Sequence, residues 1–256
     1  MSSFPTERLP MDSSTRSEGV RLATLLPDAH GVLVRRENRF LATVDIMPPG
    51  ERGVPGHVHD PGRLKELLYP GNEVLLRRAS SPARKTSWDL VAARRDGVWV
   101  LVNASYHRAV ASEALRRGLV PGIVPGDRLE AEVRRGDSRL DFRTVGSRGT
   151  TWVEVKGCSL VQDGLALFPD APSLRASRHA RELATAARDG DGAVMLILVL
   201  GPVPYAFSPN RETDPAFFDA FYDALDAGVR AVALGISYDG SHLACTGTVP
   251  VLSRCR

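Results

Sequence analysis

Lysine is scarce in this chain of 256 residues: of 33 basic residues only Lys65, Lys85 and Lys156 are lysine, and the rest are arginine. Where positive charge alone is needed the sequence uses arginine. A retained lysine therefore points to a task that needs a compact ammonium or one that can lose its proton; Lys156 is read in that way, Lys65 as a residue of no special role. Cysteine is scarce too. Cys158, Cys245 and Cys255 are an odd set without CxxC spacing, which excludes a disulfide framework and a structural zinc site. Cys158 is expected to be a small buried thiol. No apolar run approaches the roughly 18 residues of a membrane span; the longest, Ala193 to Leu200, has the length of a buried strand. The polar stretch MSSFPTERLPMDSSTRSEG has no apolar core of the signal-peptide kind. Residues 1–21 are expected to form a flexible leader, and the protein to be cytoplasmic, with no membrane partner. No helix-turn-helix pattern is found, so sequence-specific repression has no visible device.

What is present is a balanced, weakly basic chain of net charge +3. Residues 22–97 hold 12 Lys+Arg against 9 Asp+Glu, whereas residues 98–256 hold 18 of each, so the surplus lies in the first part. That fits an N-terminal module that touches phosphates. The same stretch reads as short strands broken by turns: an apolar run from Gly31, a basic turn (Arg35, Arg36, Asn38, Arg39), Phe40 to Val44, Glu73 to Arg77 and Ser87 to Ala92, with a helical turn or two over Gly62 to Leu68. Residues 22–97 are therefore expected to form a small β-barrel of the OB type, a fold that commonly binds nucleic acid.

Residues 98–256 read as a mixed α/β unit. Asn103 or Ser105 caps a helix running to about Arg117, with Ala109, Val110, Ala114 and Leu115 as its apolar face and Gly118 as its stop. Strands follow at Arg128 to Arg135, Arg139 to Val145 and Thr151 to Lys156, then an irregular Pro- and Asp-rich stretch, Phe168 to Pro172. A helix over Ser177 to Arg188, the strand Ala193 to Leu200, a helix over Pro215 to Ala227 and a strand over Val229 to Ile236 complete the order. Three strands flanked by helices and rejoined by a crossover strand make a mixed sheet covered on both faces.

Two charged positions interrupt the apolar strand pattern. Asp141 sits in Arg-Leu-Asp-Phe and Glu154 in Trp-Val-Glu-Val-Lys. Alternation places Leu140 and Phe142 on one face and Asp141 on the other, and puts Glu154 and Lys156 together because they are two apart. A hairpin would bring Asp141 near Glu154. Two carboxylates and an ammonium at one place in a sheet are costly unless they have a use. A hard divalent cation, Mg²⁺ or Mn²⁺, supplies one: it takes oxygen ligands, polarises a phosphoryl oxygen and activates water. Glu154-Val155-Lys156 is the single (D/E)xK of the chain. The competing reading is a solvated cross-strand ion pair. Glu113, on the preceding helix, is a third candidate metal ligand, or a surface acid paired with Arg116 or Arg117.

The stretches RENRFLATV, PGRLKELLYPG, SRLDF, EVKGCSLVQDGLALFPDAP and RHARELATAARDG resemble the sugar fermentation stimulation protein A family. The resemblance runs in family order from about Leu22 to Leu252. It implies an N-terminal OB-fold joined to a PD-(D/E)xK nuclease-like domain, DNA binding, and a nuclease motif made of Asp141, Glu154 and Lys156 with Glu113 as the helical acid. The chain departs from the family pattern at His57-Val58-His59-Asp60, where an asparagine is expected in place of Asp60, and at Ser173, where threonine is expected.

Arg63, Arg84 and Lys85 at barrel turns, and Arg139 beside Asp141, are candidate nucleic-acid contacts. Trp88 is assigned to the core, and His57 and His59 are not a metal site. Asp170 is expected to order its own loop, with a role in binding metal or substrate as the alternative, and His179 to sit on a helix surface, with a position facing the phosphate as the alternative. Two functions follow. One is a metal-dependent nuclease acting on DNA or RNA with no small-molecule cofactor, and a homodimer is possible. The other is a non-catalytic DNA-binding regulator linked to sugar utilisation.

Overall fold

The computed structural model describes residues 19–254 except 49, 82 and 83; of the leader expected over residues 1–21, residues 1–18 lie outside the described residues. Val20 and Arg21, assigned from sequence to that leader, instead open strand β1 (Val20–Thr24). β1 is held from the far end of the chain, pairing antiparallel with a C-terminal strand through Val20↔Cys245 and Arg21↔Ala244, a contact that no local pattern announces.

Six strands follow: β2 (Ala29–Asn38), β3 (Leu41–Ile46), β4 (Val54–His57), β5 (Glu73–Arg78), β6 (Trp88–Arg95) and β7 (Val98–Leu101). β2 pairs with β3, β3 with β4, β4 with β6, β6 with β5, and β5 with β2, which closes a five-stranded barrel. All its pairings are antiparallel except β4–β6. Leu33, Ala42, Val44, Val74, Leu76 and Leu90 are buried as alternation requires. Gly31 is needed because a Cβ there would come within 2.7 Å of Val44 and 2.9 Å of Leu76. Residues 62–68 form turns rather than the expected helix: Leu64 takes a positive φ of 46°, and Leu64, Leu67 and Leu68 are buried in the core. The expected boundary at residues 97/98 falls in the tight turn between β6 and β7.

A 3-10 turn, with Asn103 Oδ1 accepting from Ser105 N at 3.1 Å, leads into α1 (His107–Arg116). Its buried face is Val110, Ala111, Ala114 and Leu115, whereas Ala109 is exposed, one position off the expected stripe. Then come β8 (Arg128–Arg135), β9 (Ser138–Gly146), β10 (Gly149–Cys158), the short β11 (Val161–Gln162) and β12 (Leu165–Phe168), α2 (Leu174–Arg188), β13 (Gly192–Val199), β14 (Ala206–Pro209), α3 (Pro215–Asp226), β15 (Arg230–Tyr238) and β16 (His242–Val249). The main sheet runs β8-β9-β10-β13-β15, and β15 meets β7 at Tyr238↔Trp99, which joins it to the barrel. β10, β13 and β15 are parallel, linked by crossovers through α2 and α3. α2 and α3 pack on one face of this sheet around Trp152, Met195, Ile197, Phe217 and Phe221. α1 and the barrel cover the other, around Val153, Val194, Leu196 and Leu234. The fold is thus mixed α/β, an OB-like barrel followed by a two-faced sheet. Among the described residues no helix is long and apolar enough to cross a membrane.

Candidate metal centre on strands β9 and β10

The β9–β10 ladder ends at Phe142↔Val153. One step further Asp141 stands opposite Glu154, and the backbone pairing stops: Asp141 Oδ2 accepts from Val155 N at 2.7 Å, where a strand carbonyl would otherwise do so. The other neighbour of β9 is irregular at the same level. β8 pairs Ala131↔Phe142 and Val133↔Leu140, and Glu132 between them has φ 55°. The expected alternation breaks here. Phe142 joins the core on the barrel side, and Leu140 the core beneath α2. A side chain has replaced part of the ladder, and β9 turns as it passes the site.

Glu154 is 1% exposed. Its Oε1 accepts from Lys156 Nζ at 2.5 Å and from His179 Nδ1 on α2. Its Oε2 is buried and has no partner among the described residues. An unpaired buried carboxylate oxygen is costly, and a divalent cation beside it would offset that cost. Burial favours the protonated form of Glu154, but the Lys156 ammonium and the His179 bond outweigh it and hold its pKa below the usual glutamate value. Asp141 moves the other way: burial and the charge of Glu154 raise its pKa, against the Val155 amide and Lys156. Two buried acids with opposite shifts, one of them bonded to an ammonium, form a site that a cation would help to neutralise. Among the described residues no three His, Cys, Asp or Glu side chains are grouped to hold a metal by themselves. Asp141 and Glu154 are the two carboxylates that could ligate an ion here, and water would have to fill its remaining positions.

Glu113 is not brought to this pair. Its carboxylate accepts from Arg117 at 2.6 Å, one helical turn on, and it is not among the groups that shift Asp141 or Glu154. The surface ion pair, one of its two sequence readings, is the one the helix adopts. His179 is the reverse case. Read as a helix-surface residue, it is buried and bonded to Glu154. The missed signal was its position among Ala176, Ala180 and Leu183, all on the buried stripe of α2. This helix begins three residues earlier than expected because Ser173 Oγ caps Ala176 N at 3.1 Å.

Arg139 lies exposed beside the site and shares Glu132 with Arg108. Arg84 is committed elsewhere: it grips Asp89 with two bonds of 2.9 and 2.7 Å, and His59 holds the same carboxylate at 3.1 Å. Its guanidinium is thus already paired within the barrel. Lys85 is exposed, and so is Arg63, which lines a cleft of about 710 Å³ between the barrel and the second half of the chain. Trp88 and Cys158 are buried as expected. Asp170 orders a loop, though of the barrel and not its own: Oδ2 accepts from Leu64 N at 3.0 Å.

Comparison with known proteins agrees with this architecture. A model described as the sugar fermentation stimulation protein RE domain matches residues 105–242, and one described as the SfsA N-terminal OB domain matches residues 34–102. The chain belongs to the sugar fermentation stimulation protein family. It is 41% identical over 227 residues to the homolog from Methanococcoides burtonii, covering 88% of this chain and 92% of that one. It is 45% identical over 210 residues to the homolog from Methanothermobacter thermautotrophicus, covering 82% and 86%. A solved structure of Pyrococcus furiosus SfsA in complex with Ca²⁺ superposes with a TM-score of 0.84 at 28% identity, covering 91% of this chain and all of that one. The SfsA family thus supplies both parts of the fold, with the carboxylates of β9 and β10 in its RE domain.

Proposed function

We propose that the chain is a divalent-metal-dependent phosphodiester hydrolase acting on nucleic acid, with Asp141, Glu154 and Lys156 at its centre. The observation that carries this reading is the buried, unpartnered Oε2 of Glu154 next to Asp141. The Ca²⁺ named with the Pyrococcus furiosus relative supports it, since Ca²⁺ and Mg²⁺ both take carboxylate oxygens. Asp141 and Glu154 would hold the ion, and Mg²⁺ or Mn²⁺ is the working choice. When bound, the metal supplies Lewis-acid polarisation of the scissile phosphate and a more acidic water.

The remaining work falls to the chain. His179 and Lys156 both hold Oε1 of Glu154, so the carboxylate cannot rotate and Oε2 keeps its direction. The Val155 amide fixes Asp141 in the same manner. Lys156, with its side chain 11% exposed, places an ammonium where negative charge accumulates as the phosphate is attacked, in surroundings dry enough to make that charge effective.

Purified protein incubated with labelled DNA and RNA in Mg²⁺, Mn²⁺ or EDTA tests this. Asp141→Ala and Lys156→Ala are expected to lower metal-dependent cleavage on the order of a hundredfold or more while retaining binding. Cleavage unchanged in both variants would contradict the assignment. Binding without cleavage under any metal would favour the non-catalytic regulator.

A further inference from the structure

The cleft between the barrel and the second half is charged in layers. Arg39, Arg63 and Lys65 are exposed along its barrel rim, while Asp60 and Asp170 line it deeper. The rim is built rather than incidental. Arg36 ties it together, donating at 2.9 Å to the carbonyls of Arg39 and Gly62 and also to that of Arg63. The backbone that carries Arg39 and Arg63 is thereby clamped, and their side chains remain exposed. The floor is built as well: Asp60 Oδ1 accepts from Gly62 N at 2.8 Å and Asp170 Oδ2 from Leu64 N, and the second oxygen of each carboxylate has no hydrogen-bond partner among the described residues. Next to Arg39, Phe40 is 49% exposed and its ring lies nearly parallel to that of His57, with the centroids 6.5 Å apart.

A basic rim above an acidic floor suits a ligand that is anionic at one edge and offers N–H donors at the other. A nucleotide is such a ligand: its phosphate meets arginine and lysine, and the exocyclic amino group of its base meets a carboxylate. A volume of about 710 Å³ is that of a small-ligand cleft, and carboxylates at its floor reach base amino groups that pairing would occupy in a duplex. The cleft also adjoins the metal centre. Gly157 forms part of its wall and lies three strand residues, roughly 10 Å, beyond Glu154. Ser173 is in the same wall, six helical residues, about 9 Å, before His179.

The geometry points to this cleft as the seat of a single-stranded nucleic-acid segment, its backbone on Arg39, Arg63 and Lys65 and its base amino groups on Asp60 and Asp170. The inference rests on the hydrolase reading only in supposing that the strand is cut at Glu154; the binding itself is independent of it. Phe40 offers a face on which a flanking base stacks.

The test is fluorescence anisotropy in EDTA at pH 8 with labelled oligo(dC), oligo(dT), a single-stranded RNA of the same length and a blunt DNA duplex. Single strands are expected to bind about tenfold tighter than the duplex, and the double variant Arg39→Glu/Arg63→Glu to lose tenfold or more. Oligo(dC) should exceed oligo(dT) about fivefold, a preference that Asp60→Asn reduces. The RNA arm shows whether the ribose matters. A duplex that binds as tightly as the single strands, or binding indifferent to the Arg39/Arg63 reversal, overturns the inference. The two readings fail separately: loss of cleavage in every metal with cleft-dependent binding intact sinks only the hydrolase, and cleavage with cleft-independent binding sinks only the cleft.

Discussion

His179 and Asp60 show how much of the site depends on single groups. His179 reaches across from α2 to Glu154 Oε1 and so decides where Oε2 points. Removing such an outer support costs metal affinity: His179→Ala should raise the dissociation constant for Ca²⁺ or Mn²⁺ about 10- to 100-fold by calorimetry. His179→Asn, which keeps a donor near the Nδ1 position, should lose less. Equal affinities in all three proteins would remove His179 from the account. Asp60 was legible as a departure from the family pattern, but its surroundings were not. Burial, together with the charges of Asp170 and Glu66, pushes its carboxyl up to about 6 against the Gly62 amide, which favours the anion. With the folded pKa above the unfolded one, the native state holds the proton more tightly, so Asp60 costs stability once pH rises through that range. Asp60→Asn should therefore stabilise the protein more at pH 8 than at pH 4.5, by about 1–2 kcal/mol in denaturant unfolding. An equal gain at both pH values would show that the carboxylate is not held this way.

At the scale of elements, the strands and helices around the carboxylate pair were readable because their patterns are local. β8, β9, β10 and α3 lie within a few residues of where alternation, turns and caps placed them. What escaped depends on partners distant in sequence. β1 exists through β16, and β11, β12 and β14 through one another, as a separate three-stranded sheet. The break in alternation at Asp141 needs Glu132 and Val155 together. The junction of α1 with β10 is of the same kind. His107, the first residue of α1, lies so close to Gly157 that a Cβ there would come within 2.2 Å of the ring. Burial pushes this histidine down to about 4, so it packs as a neutral ring. Gly157→Ala should destabilise the protein by about 1–3 kcal/mol. Combined with His107→Ala, which makes room for the methyl group, it should cost clearly less than the sum of the single changes. Strict additivity in denaturant unfolding would place the two residues out of contact.

Across the whole molecule, the barrel and the second half are parts of one construction. The strand path passes from β7 to β15, and one buried cluster runs from Leu33 and Leu76 in the barrel to Val153 and Leu196 under the candidate metal centre. Asp170 crosses to the barrel loop at Leu64, so the groups that line the cleft and the groups that hold Glu154 are set by the same framework. This explains why a (D/E)xK tripeptide, weak as a pattern, gains meaning in its context: Glu154 and Lys156 lie on the strand between the antiparallel β9 and the parallel β13, beneath a helix that supplies His179. On the reading proposed above, this strand carries the residues that hydrolyse phosphodiesters with a divalent metal. Single-turnover cleavage of labelled single- and double-stranded DNA and RNA, with Mg²⁺ or Mn²⁺ against EDTA, compares the native protein with Glu154→Ala. Metal-dependent cleavage by the native protein is expected, falling on the order of a hundredfold or more in the variant. Equal cleavage by both proteins, or none by the native protein in either metal, would contradict it.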